Sequence, residues 1–218
     1  MARIAEDLLL LLLDNESAQP RMKRRQLGRT LAAALLLDLA YDCRVRPALP
    51  GEPVAPGRLV ALAGPVPMDP ALRPALAMLE RGPVTPDVAI GRLRGRAEDD
   101  VLDQLLRTGQ IHQIQLSSHR LRRNTYAWPL SDRSRSAKTR AAAHGALFDH
   151  HSPEPAMAAV IALLHRTGGL PAALNLSDEG AYHAIRRAEE ITFAGWGEGA
   201  NTGEVNLAMT AASVLPVL

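Results

Sequence analysis

The chain has 218 residues, 47% of them hydrophobic, and its 25 lysines and arginines against 23 acids give a formal charge of +2. This composition excludes a disordered or collagen-like polypeptide, and the lone Cys43 excludes an internal disulfide framework. Aromatic residues at 3% leave leucine and alanine to fill the core, which favours helices over sheets; every cation except Lys23 and Lys138 is arginine, a bias in keeping with a bacterial source.

Ala2 to Asp14 reads as a first helix with acids in its opening turn. Its apolar run, Leu8 to Leu13, falls far short of the ~20 residues of a membrane span, and Glu6 and Asp7 stand where a signal peptide carries basic residues. The chain is therefore expected in the cytoplasm. Gln26 to Tyr41 forms a second helix, with Leu27, Leu31, Leu35 and Leu39 every fourth residue. Seven prolines between Arg44 and Pro70 rule out a long helix there and predict an ordered loop layer, with Arg58 to Ala63 as a short strand.

Helical spacing returns over Pro70 to Glu80 and Pro86 to Leu93. Glu98, Asp99 and Asp100 open a stronger helix that ends at Gly109. Beyond it the period shortens to two, predicting a β-hairpin over Ile111 to Trp128 that turns at Ser117 to His119. Ser136 to Phe148, Pro155 to Arg166, Asp178 to Thr192 and Glu204 to Leu215 complete the helices, with Gly168-Gly169 and the glycine-rich 195–203 as breaks. No repeat or long linker divides the chain. The expected architecture is mainly α: a single-domain helical bundle over 1–218 with a protruding β-hairpin.

The small net charge conceals a separation. Arg21, Lys23, Arg24, Arg25 and Arg29 lie within nine residues without an acid, and the 120–140 stretch holds seven cations against Asp132 alone. The first cluster spans the start of the second helix, where free backbone N–H groups and the helix dipole add to anion affinity. Lys23, Arg24, Arg25 and Arg29 are therefore the candidate anion- or lipid-binding residues.

No catalytic constellation is legible. G-x-S-x-G, Walker, H-E-x-x-H and C-x-x-C motifs are all missing, and Gly195-x-Gly197-x-Gly199 follows no strand, which denies it the dinucleotide-binding context. His144, Asp149, His150 and His151 form a poor chelate, because adjacent side chains on a helix diverge by about 100°. No enzyme activity, metal or cofactor is expected.

The segments Ala5 to Asp14 (AEDLLLLLLD) and Leu31 to Val45 (LAAALLLDLAYDCRV) resemble the first two helices of the Golgi phosphoprotein 3 family. Val101 to Ile111 (VLDQLLRTGQI), Tyr126 to Leu130 (YAWPL), Val160 to His165 and Ile185 to Ile191 (IRRAEEI) are similar to its later elements in family order. The resemblance implies a non-enzymatic, peripheral membrane adaptor at the inner face of a membrane. Its implied ligand is phosphatidylinositol 4-phosphate or another anionic lipid, and its implied protein partners are the cytoplasmic tails of membrane enzymes. It also implies a homo-oligomer formed through the hairpin.

The family's headgroup tryptophan falls on Met22 or Lys23, the arginine nine positions later near Ala32, and two further arginines on Ser152 and Pro155. None of these residue types is kept, so the basic cluster is left to attract anionic lipid less selectively, at about 1 kcal/mol per cation. On the hairpin, Ile114, Leu116, Arg120, Leu121, Arg122 and Arg123 are the candidates for self-association or membrane contact.

The competing reading is a winged-helix-like nucleic-acid-binding protein, with the helix from Glu98 followed by a basic hairpin as wing. Three acids opening that helix would repel phosphates, which makes nucleic acid the poorer partner.

Overall fold

The computed structural model describes residues 3–117, 125–193 and 201–218. The leucine-rich segments form the centre. Helix α1 (Ile4–Leu12) is buried on nearly every side, and α2 (Arg24–Tyr41) buries its whole run from Thr30 to Ala40. The two run antiparallel, because Asp38 near the end of α2 accepts the Ile4 N–H (2.8 Å) and the Ala5 N–H (3.0 Å) at the start of α1. Helix α1 has no side-chain cap of its own, so an acid inside a leucine run supplies it from the neighbouring helix.

Within the proline-rich stretch, β1 (Val45–Pro47) and β2 (Leu59–Ala61) pair antiparallel, Arg46 opposite Val60. Only the second strand is expected from the sequence. Pro47 ends β1, so the ladder closes one residue beyond it, with the Ala48 N–H on Arg58 O at 2.7 Å. Asp69 then caps a short 3₁₀ turn, Pro70–Leu72, ahead of α3 (Arg73–Glu80). Helices α4 (Pro86–Leu93) and α5 (Ala97–Arg107) follow, and Gly109 at φ +68° closes α5 as a glycine cap.

The hairpin consists of β3 (Ile114–Ser117) and β4 (Thr125–Ala127), with a register irregularity between Gln115 and Ser117. Ser117, expected to open the turn, is still in strand and pairs with Thr125, and the rest of the expected turn, 118–119, lies outside the described residues. Below it Ile111 bridges Leu130. Helix α6 (Arg133–Phe148) starts three residues earlier than predicted, because the Asp132 side chain accepts the Ser134 N–H (2.8 Å) and caps it. Helix α7 (Pro155–Arg166) has the predicted bounds. A single extra turn, α8 (Leu170–Leu174), follows Gly168 and ends at Asn175 in the left-handed region; it is too short to leave a periodic signal. Helices α9 (Asp178–Phe193) and α10 (Thr202–Val214) and a 3₁₀ turn, Leu215–Val217, complete the chain. The fold is mainly α. No helix among the described residues is long and apolar enough to cross a membrane.

Two ends of the molecule are distinguishable. At one end, Gln26 in the first turn of α2 donates to Thr167 O at the close of α7, and Met22 packs on Gly169. At the other end Glu154, just ahead of α7, acts electrostatically on Tyr41, the last residue of α2. Helices α2 and α7 are therefore antiparallel, and the starts of the two lie at opposite ends.

Candidate functional site

The first basic cluster surrounds the N-terminus of α2. Lys23 occupies the cap position with no side-chain cap, and Gln26 and Leu27 both donate to Lys23 O at 2.9 Å. The Arg24 and Arg25 N–H groups precede the first of these bonds and have no acceptor among the described residues, in a turn that contains no acid. Cations at this position oppose the helix dipole unless an anion joins them.

Lys23 and Arg25 are exposed and form no ion pair among the described residues. Arg24 reaches Glu98 Oε2 only at 3.6 Å, with its own side chain 66% exposed, a weak pairing. Burial raises the Glu98 pKa, and Asp99 adds to this against the lowering pull of Arg24. Arg94 is exposed beside the same face, its backbone carbonyl pressed against Gly28.

Arg29 differs from the other three. It is half-buried and donates from Nη2 to Val217 O at 2.6 Å, tying down the C-terminal turn. Arg21 is likewise engaged, by Asp14 and by Asn175 Oδ1 (2.9 Å). The outward charge of this cluster thus resides on Lys23, Arg24 and Arg25, and the structure adds Arg94. Arg94 is 65 residues beyond Arg29, so only the packing of α4 against α2 reveals its place.

The hairpin base lies at the same end. The Trp128 N–H donates to Ala18 O (2.7 Å), and Gln19 Nε2 to Tyr126 O (3.3 Å), which fixes β4 to the loop leading into α2. Ile114 and Leu116 are 46% and 54% exposed. Arg120, Leu121, Arg122 and Arg123 lie outside the described residues.

The rest of the second basic segment is partly consumed inside the fold. Arg135 pairs with Glu6 (2.5 Å) and Asp7 (2.8 Å), and Arg140 donates to Ala173 O and Leu11 O. Arg133 and Lys138 are the cations of α6 left exposed.

The sequence model of Golgi phosphoprotein 3 (GPP34) matches residues 4–209. The chain belongs to the Golgi phosphoprotein 3 family. No individual curated protein matches it.

Within the family's frame, the four headgroup positions carried over from the sequence do not meet. Met22 and Lys23 stand at the end of the molecule where α7 closes, Ala32 is buried inside α2, and Ser152 and Pro155 stand where α7 begins, about 18 Å away along its axis. Ser152 instead borders a cleft of about 570 Å³ between α6 and α7, where Asp7 and Glu154 offset Arg135 and Lys138. The segment that does face the start of α2 is Arg94–Glu98.

His144 Nδ1 sits 3.8 Å from Asp149 Oδ2, and its ring stacks on Phe148 at 4.6 Å. Among the described residues, no group of three or more His, Cys, Asp or Glu side chains is placed to hold a metal ion.

Proposed function

We propose that this Golgi phosphoprotein 3 family member is a non-enzymatic, peripheral membrane adaptor that holds anionic lipid headgroups at the start of α2. Lys23, Arg24 and Arg25 would be the contacts, with Arg94 at the rim. The observation that carries this reading is the uncapped first turn of α2, which has no acid of its own and whose N–H groups and exposed cations Lys23, Arg24 and Arg25 outnumber the facing Glu98, 3.6 Å from Arg24, on the end of the molecule that also carries the hairpin base. The family's tryptophan and arginines are replaced, so binding follows membrane charge rather than headgroup identity. Attraction of this kind falls off within about 10 Å at 0.1 M salt. Tails of membrane enzymes are the cargo, and Ile114 and Leu116 are the contacts between copies.

Co-sedimentation with phosphatidylcholine vesicles carrying phosphatidylglycerol or phosphatidylinositol 4-phosphate at matched surface charge tests this. Equal binding to both, weakened by salt and at least tenfold lower in the triple variant Lys23→Ala, Arg24→Ala, Arg25→Ala, is the expected result. Absence of binding to either vesicle at low salt would overturn it.

A further inference from the structure

The proline-rich layer at the opposite end of α2 contains a surface that the lipid reading does not use. In the β1–β2 ladder, Arg46 and Val60 stand directly opposite each other, and the Leu62 N–H donates to Arg44 O (2.8 Å). Even-numbered residues of β2 therefore bond inward to β1, and odd-numbered ones face the free edge. Leu59 is already met there, its N–H on Val84 O at 2.8 Å. The pairing goes no further. Gly82 turns the incoming chain back onto Leu79, so Ala61 and Ala63 have no main-chain hydrogen-bond partner among the described residues.

An open groove of about 650 Å³ runs along this edge, with Val54 and Leu79 among its apolar walls and Glu80, which Arg44 Nη2 approaches at 3.9 Å, at its side. The chain leaving the edge carries Val66 and Met68, 71% and 91% exposed. This segment is held firmly. Buried Arg44 donates to Leu62 O and Pro65 O, Arg73 Nε to Pro67 O (3.2 Å), and buried Asp69 accepts the Ala71 N–H (2.9 Å). Two large apolar side chains presented to water on a rigid, proline-fixed segment beside unpaired main chain make a preorganised surface.

We infer that this edge is a peptide-docking site that takes an extended segment of a partner protein as an added strand. Unpaired N–H and C=O groups call for another main chain, and the small Ala61 and Ala63 let one approach closely. The occupant continues the pairing that Val84 begins and lays apolar side chains on the groove floor and on Val66 and Met68. This surface adjoins the end of α2, about 27 Å along that helix from its basic start, so a membrane-bound molecule keeps it open to solution.

The test is selection of a random heptapeptide phage library on the full chain, followed by fluorescence anisotropy with the enriched peptides. Enriched peptides are expected to alternate apolar residues and to bind at least tenfold more weakly when N-methylated at alternate backbone positions. Ala61→Pro removes the outward N–H and leaves the β1 ladder untouched, and binding should fall by the same factor. Because that variant risks misfolding, Met68→Asp and Val66→Asp, at solvent-exposed positions, serve as independent variants with the same expected loss. Failure to enrich any peptide, or enriched peptides indifferent to N-methylation and to both aspartate variants, would overturn the inference. Vesicle binding by these variants should be unchanged, which separates this result from the lipid reading.

Discussion

At the scale of single residues, leucine and alanine fill the core, and arginine ties its segments together through backbone carbonyls. Arg29, Arg44, Arg140, Arg166 and Arg187 each donate to backbone carbonyls of segments distant in sequence, satisfying helix ends and turns that carry no cap of their own. Arg140 illustrates the cost of losing such a tie. Its guanidinium holds Leu11 O and Ala173 O, so Arg140→Met leaves both carbonyls without that donor and should lower stability by about 1.5–3 kcal/mol. Arg133→Met, at an exposed position, should change it by less than about 0.5 kcal/mol. Urea unfolding of the two variants distinguishes them. Asp38 poses a different problem, because burial pushes its pKa up to about 7 even though the Ala5 and Ile4 N–H groups and Arg3 pull it down. A carboxyl whose folded pKa exceeds its unfolded value binds more protons when folded, so its contribution to stability is greatest below about pH 4 and declines as pH rises through 7. Asp38→Asn cannot titrate and accepts through only one oxygen. Its melting temperature should be lower than that of the parent at pH 5, and the gap should narrow toward pH 8.

At the scale of elements, leucine spacing, proline positions and acid-opened turns sufficed to place α1 to α5, α7, α9, α10 and the paired strands of the hairpin, because each rests on local chemistry. The interactions that position them against one another rest on contacts between distant residues, which no local pattern records. Asp38 looks like a polar interruption until α1 is laid beside it, and Arg29 and Arg140 look like surface charge until their carbonyl partners are found. The candidate site divides in the same way. Its cations and its helix start are plain in Lys23-Arg24-Arg25, whereas Arg94 is brought to them by Gly28. A Cβ at residue 28 would collide with the Arg94 carbonyl, so glycine is what allows α2 to reach the α4–α5 junction. Gly28→Ala should therefore separate the two segments and cost about 1–3 kcal/mol in urea unfolding. Gly91→Ala, where an added Cβ meets nothing within 4 Å, should be neutral or slightly stabilising through helix propensity.

At the scale of the whole molecule, a formal charge of +2 is spread so that the α2 start, the loop before it and the hairpin base share one end, while Asp38, Asp42 and Asp69 gather around Arg3 at the other. Internal ties remove several arginines from the surface, so the outward positive field is smaller than the sequence count implies. Arg58, Arg73 and Arg81 carry part of it in the proline-rich layer, and only at the α2 start do exposed cations, Lys23, Arg24 and Arg25, adjoin the N-terminus of a long helix among the described residues. This arrangement predicts an orientation on an anionic bilayer as well as an affinity for it. An environment-sensitive fluorophore attached through Asn15→Cys, in the exposed loop before α2, should change its emission when phosphatidylglycerol vesicles are added. The same label at Ser152→Cys, exposed where α7 begins, should not. Native Cys43 must first be replaced, and asparagine suits it because residue 43 sits at φ +55°, where asparagine is tolerated. Equal responses from the two labels would show that the molecule meets the membrane without a preferred face, and that the charge separation along α2 does not orient it.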